Sequence, residues 1–119
     1  LITKDTIDNI KNLQIIQSDG ESKIVAIKRW GDFTEAFKVL ADKKVEVELV
    51  GGNDEISVSI VKQKKQKLEF DNIFHLHDLE MVTDTTKTRS YYYVPVSKLT
   101  SFIKYCEGNN MSIEHIYDY

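Results

Sequence analysis

The sequence predicts an α+β domain in which a mostly antiparallel sheet of five to seven strands carries two or three helices on one face. Three observations predict it. Val45, Val47 and Leu49 alternate with Glu46 and Glu48, and after Gly51-Gly52 Ile56, Val58 and Ile60 alternate with Ser57 and Ser59, the two-residue period of half-buried strands. Phe33, Ala36, Phe37, Leu40 and Ala41 form one helical stripe, and Leu99, Phe102, Ile103 and Cys106 form another. Turn signals suited to hairpins separate most of the strand-like runs, which favours antiparallel pairing. At 119 residues the chain has the size of one domain, residues 1–119.

Thr3 is placed to cap a short helix over residues 4–12, with Ile7 and Ile10 on one stripe and Asp5 and Asp8 near its positive end. Leu13 to Gln17 reads as a strand, Ser18-Asp19-Gly20 as a turn, and Lys23 to Arg29 as the returning strand. Asp32 is a suitable N-cap for the first strong helix, and Glu35 completes a capping box. Gly51-Gly52-Asn53-Asp54 supplies the positive-φ residues of a tight hairpin between the two alternating runs. Leu68 to Phe70 reads as a short strand and residues 73–83 as a longer one. The polar turn at 84–88 leads into Ser90 to Val96, where Pro95 cannot donate to a ladder and predicts an edge position. Ser97 caps the second strong helix, Gly108 stops it, and Met111 to Tyr117 is the last strand. This order is compatible with a ferredoxin-like core framed by the two strong helices.

Composition narrows the function classes. Hydrophobic residues at 41% and charged ones at 29% suit a globular core and argue against wholesale disorder. The lone Cys106 cannot form an internal disulfide, which fits a reducing compartment. It lies on a buried stripe, where a thiol is usually inert. No apolar run approaches the ~20 residues of a membrane span, and the first residues lack a signal-peptide layout. A cytoplasmic protein without membrane attachment is expected. Net charge is −3, and the one basic cluster is Lys62, Lys64, Lys65 and Lys67. That balance disfavours nucleic acid, whose phosphates call for clustered cations.

Chemistry, if present, centres on Ile73 to Met81. In a regular strand His75 and His77 share a face and Leu76 points the other way. Two imidazoles one pleat apart can hold a divalent metal, with Asp78, Glu80 or His115 as a further ligand. The pattern resembles the His-hydrophobic-His strand motif of the HUH endonucleases (replication initiators, relaxases and small transposases). The resemblance implies a divalent metal on His75 and His77 that polarises a phosphate, and Tyr105 as the helix nucleophile that attacks DNA. Tyr105 is followed by Cys106, Glu107 and Gly108, where that family carries a lysine. Taken alone, the two histidines read as partly exposed sheet residues that need no cofactor. Gly51-Gly52 is not a phosphate loop, because no helix start with Lys-Ser or Lys-Thr follows it.

Tyr91-Tyr92-Tyr93 puts phenol rings on both faces of its strand, so at least one is exposed. Exposed tyrosines suit protein interfaces, and they can also stack on bases. With no catalytic constellation in view, the expected function is a non-catalytic module that recognises another protein, of inhibitor, immunity or adaptor type. Its expected surface is Tyr91, Tyr93, Glu46 and Glu48. The alternatives are the metal-dependent DNA-nicking endonuclease built on His75, His77 and Tyr105, with His115 as third ligand, and a small-ligand regulatory domain.

Overall fold

A computed structural model of the chain describes residues 2–3, 13–19, 22–27 and 31–117. The fold is α+β; among the described residues all strand pairs are antiparallel, but the strands divide into two sheets of four rather than one of five to seven. The first sheet holds β1 (Ile2–Thr3), β2 (Leu13–Asp19), β3 (Ser22–Ile27) and β4 (Val47–Leu49) in the order β2-β3-β1-β4. The second holds β5 (Glu55–Gln63), β6 (Phe74–Glu80), β7 (Lys87–Pro95) and β8 (Ser112–Tyr117) in the order β6-β7-β5-β8. Two α-helices are described, α1 (Gly31–Asp42) and α2 (Leu99–Gly108). Neither is long and apolar enough to cross a membrane. The helix expected over 4–12 lies outside the described residues.

The sheets part at the glycine pair. Gly51 and Gly52 take φ values of 57° and 81°, as the hairpin signal predicts. Val50 and Asn53 exchange both backbone hydrogen bonds, at 3.0 and 2.9 Å. The expected hairpin stops at that one bridge. Because β5 is flanked by β7 and β8, it has no free edge for β4, which pairs with β1 instead.

The helices pack on each other and on the second sheet. Phe37 and Leu40 of α1, and Leu99, Phe102, Ile103 and Cys106 of α2, are fully buried against Val58, Ile60, Val94 and Ile116 of the sheet. Thr34 ties α1 to β8 by accepting the Ile116 N–H at 3.0 Å. Burial pushes the Cys106 thiol up to about 12, as expected for a sulfur with no water to stabilise its thiolate.

Several local expectations are corrected. Since α1 starts at Gly31, Asp32 sits inside the first turn, and Glu35 pairs with Lys38 at 3.3 Å instead of closing a capping box. Ser97 falls within a 3-10 turn, Val96–Lys98, and the residue before α2 is Lys98, which makes no side-chain cap. Helix α2 ends at Gly108 as expected, but the left-handed residue past it is Asn110, and the N–H groups of Asn109 and Met111 both return to the Cys106 carbonyl. The expectation for Pro95 holds locally: β7 is an interior strand, but its Pro95 end lies past the end of β6, which stops opposite Tyr93, and so is open on that side.

Leu68 to Phe70 forms no strand. The connection from β5 to β6 is irregular and packs Leu68, Phe70 and Ile73 on the core. Phe70 meets Phe102 at 5.4 Å and Tyr105 at 5.5 Å, and these ring contacts hold the segment where a ladder would otherwise be needed. Because β5 and β6 are both antiparallel to β7, they run parallel to each other with β7 between them.

Candidate functional site

The second sheet has an inner face toward the helices and an outer face away from them. Alternation along β7 sends Ser90, Tyr92 and Val94 inward and Arg89, Tyr91 and Tyr93 outward. At the edge of the sheet β6 follows β7 until Leu76, where the register shifts: His75 pairs with Tyr92, but His77 pairs with Tyr91. This bulge absorbs one residue. His75 therefore faces inward and His77 outward, which corrects the expectation that they share a face.

On the inner side the His75 ring lies 5.0 Å from that of Tyr92. His75 Nε2 is 2.8 Å from Asp78 Oδ1, and the Ser90 hydroxyl donates to the same oxygen at 2.6 Å. Partial burial works to raise the Asp78 carboxyl. The Ser90 and His75 hydrogen bonds, with the His75 and Lys62 charges, outweigh it and hold the group below its ordinary value. Burial, with the Asp78 charge, raises the Tyr92 phenol. In a Ser-His-Asp arrangement the imidazole sits on the serine hydroxyl; here the Asp78 carboxylate lies between Ser90 and His75 instead, and the Ser90 hydroxyl donates to it.

On the outer side an aromatic band crosses the sheet. His77 stacks on Tyr91 at 4.5 Å with ring planes 18° apart, Tyr91 meets Tyr117 at 6.4 Å, and Tyr117 meets His115 edge-on at 4.4 Å. Phe74 and Tyr93 are cross-strand partners, 66% and 43% exposed. The floor under the band is β5: Ser57 lies between Tyr93 and Tyr117, and Ser59 between Tyr91 and His115. Two small side chains let rings from β7 and β8 lean toward each other across the strand that separates them. Ser59 is fully covered, and among the described residues its Oγ is a buried side-chain polar atom without a hydrogen-bond partner. Burial, then the neighbouring Tyr117, raises the Tyr91 phenol.

Charge is confined to the rim of this face. Arg89 grips Glu114 bidentately at 2.6 and 2.9 Å, which holds its guanidinium above its ordinary value. Lys87 lies 3.9 Å from Asp84.

The structure thus brings Tyr91 and Tyr93 together on one face and adds Phe74, His77, His115 and Tyr117 to them. It does not bring Glu46 and Glu48 there. Glu48 is on β4 of the other sheet, and Glu46 lines a groove of about 350 Å³ with Lys44, Thr100 and Lys104 on the helix side. His115 shares the outer face with His77, but β7 and β5 lie between their strands, and His75 is on the inner face. Among the described residues no three His, Cys, Asp or Glu side chains gather as a metal site. Tyr105 is half-buried, and its hydroxyl accepts the Glu69 N–H at 2.9 Å. Comparison with protein-family models, with curated proteins and with solved structures finds no match to this chain.

Proposed function

We propose that this chain is a non-catalytic binding module that docks another protein on the outer face of the second sheet. The observation that carries the reading is the make-up of that face. Its centre is Phe74, His77, Tyr91, Tyr93, His115 and Tyr117 over Ser57 and Ser59, while Arg89, Glu114 and Lys87 stand at the rim. Cores of protein interfaces are depleted in charge and enriched in tyrosine, with a polar rim. Tyrosine brings large area at the entropy cost of two torsions, and serine fits around it.

The competing readings have less support. Stacking on bases would use the same rings, but the phosphates would need free cations, and Arg89 is held by Glu114. A nicking enzyme would need His75 and His77 on one face and an available Tyr105 hydroxyl, and the bulge and the Glu69 contact work against both. A cytoplasmic setting suits the buried, unreactive Cys106 and belongs to the proposal. So does a derived ferredoxin-like sheet, in which β7 splits the parallel pair β5 and β6 and an irregular segment stands where a crossover helix would be.

The test is comparative capture from a native lysate. Wild type, a Phe74→Ser/Tyr93→Ser variant and a Val39→Ser control on α1 serve as baits. The reading expects a protein held by wild type and control and lost by the double variant. Identical captures on all three baits would overturn it, and material released by nuclease would favour base stacking.

A further inference from the structure

Among the described residues β6 pairs with β7 alone, so its second edge is unpaired, and all seven of its residues are exposed. An edge strand presents a row of backbone donors and acceptors on which another strand can form. Proteins use such edges to capture extended segments: backbone bonds supply affinity, and alternate side chains supply specificity.

The side chains of β6 sort into two rows. Phe74, His77 and Leu79 are in the outer row, opposite Tyr93, Tyr91 and Arg89; Leu79 is 47% exposed. His75, Asp78 and Glu80 are in the inner row, opposite Tyr92, Ser90 and Thr88. Ser90 and His75 both use Asp78 Oδ1, and Lys64 uses Glu80 Oε1. Each carboxylate thus has a second oxygen with which to accept from an incoming cation.

We propose that β6 accepts an added strand from another protein, a segment whose residues alternate between apolar and cationic. Its apolar residues would lie beside Phe74 and Leu79 and continue the aromatic face by one strand. Its lysines or arginines would lie beside Asp78 and Glu80. Self-pairing of two copies of β6 through Leu79 sets Asp78 against Glu80 twice, and pairing His77 with Leu79 sets Asp78 against Asp78. Like charges directly opposite each other are destabilising, and a cationic segment meets no such repulsion. The self-pairing register through His77 opposes no like charges, and a dimer so formed is an outcome of the test. The inference extends the docking reading to the sheet edge, but it rests on the edge's exposure and charge rather than on the tyrosines.

The experiment uses the full chain and a synthetic ten-residue peptide of alternating valine and lysine, with a valine/glutamate peptide as counterpart. Binding is followed by titration and by amide hydrogen exchange. The valine/lysine peptide is expected to slow exchange across residues 74–80, and Glu80→Lys to weaken it about tenfold or more. Val39→Ser, on α1 and outside both the edge and the outer face, is expected to leave that affinity unchanged, and Tyr93→Ser to weaken it less than Glu80→Lys, which separates the edge from the outer face. Glu80→Gln, a milder change at the same exposed position, should weaken binding less than Glu80→Lys. The proposal is overturned if exchange across 74–80 is unaffected, if the glutamate peptide binds equally well, or if the chain is already dimerised through β6. It is equally overturned if Tyr93→Ser abolishes peptide binding while Glu80→Lys leaves it intact.

Discussion

His75 and His77 lie on opposite faces of one sheet although a single residue separates them, because Leu76 is bulged out of the β6–β7 ladder. The shift gives each imidazole its own tyrosine, Tyr92 inside and Tyr91 outside. It also divides the roles of the strand: the inner histidine joins a polar cluster with Asp78 and Ser90, and the outer one joins the aromatic band.

Two imidazoles on opposite faces cannot share one ion at the ~2.0–2.1 Å of a zinc–nitrogen bond. Added zinc or manganese should therefore change the melting temperature of wild type and of His75→Ala/His77→Ala equally. A rise confined to wild type would restore the metal reading.

Among the described residues Ser59 carries a covered hydroxyl without a hydrogen-bond partner, under the aromatic band. Replacing it with alanine removes a polar group whose burial is uncompensated, so Ser59→Ala should stabilise the fold by about 1 kcal/mol in urea denaturation. Ser59→Leu should instead cost about 1–3 kcal/mol and alter the near-ultraviolet tyrosine signal, because the added atoms lift the rings off their floor. Equal stability of both variants would mean that the rings do not rest on β5.

The Asp78 carboxyl is held below its ordinary 3.8 in the folded protein. The folded state thus binds that proton less readily than the unfolded chain, and the stability this confers is complete above the ordinary value. It is lost as pH falls through that value toward the lower folded one. In acid titrations followed by circular dichroism, Asp78→Asn should lose less stability than wild type below about pH 4. Parallel acid profiles would show that the Ser90 and His75 contacts do not favour the carboxylate.

Cys106 is fully buried, and its thiol is pushed up to about 12. A thiol reagent at pH 8 should leave the native protein unmodified and react with one equivalent once denaturant is added. Fast modification of the native protein would contradict the placement of α2.

Much of this architecture was legible in the sequence. The stripes Phe33 to Ala41 and Leu99 to Cys106 became α1 and α2 with those residues buried, since a 3.6-residue period leaves little choice of face. Gly51 and Gly52 took the positive φ expected of them. The turn's consequence was not legible, because whether two strands stay paired depends on distant competitors. Here β7 and β8 occupy both edges of β5. The tyrosines of β7 alternate between faces as expected, but their companions Tyr117 and His115 come from a strand that is not adjacent. The bulge at Leu76 has no local signal, such as a glycine, and it reversed the reading of the two histidines.

The central claim, that the outer face of the β6-β7-β5-β8 sheet docks a protein, is tested most directly by hydroxyl-radical footprinting of the partner complex. Phe74 and Tyr93 are exposed on that face, and Val39 is exposed on α1. Complex formation is predicted to slow oxidation of Phe74 and Tyr93 several-fold while leaving Val39 unchanged. Unchanged oxidation of both aromatic residues in a saturated complex would contradict it.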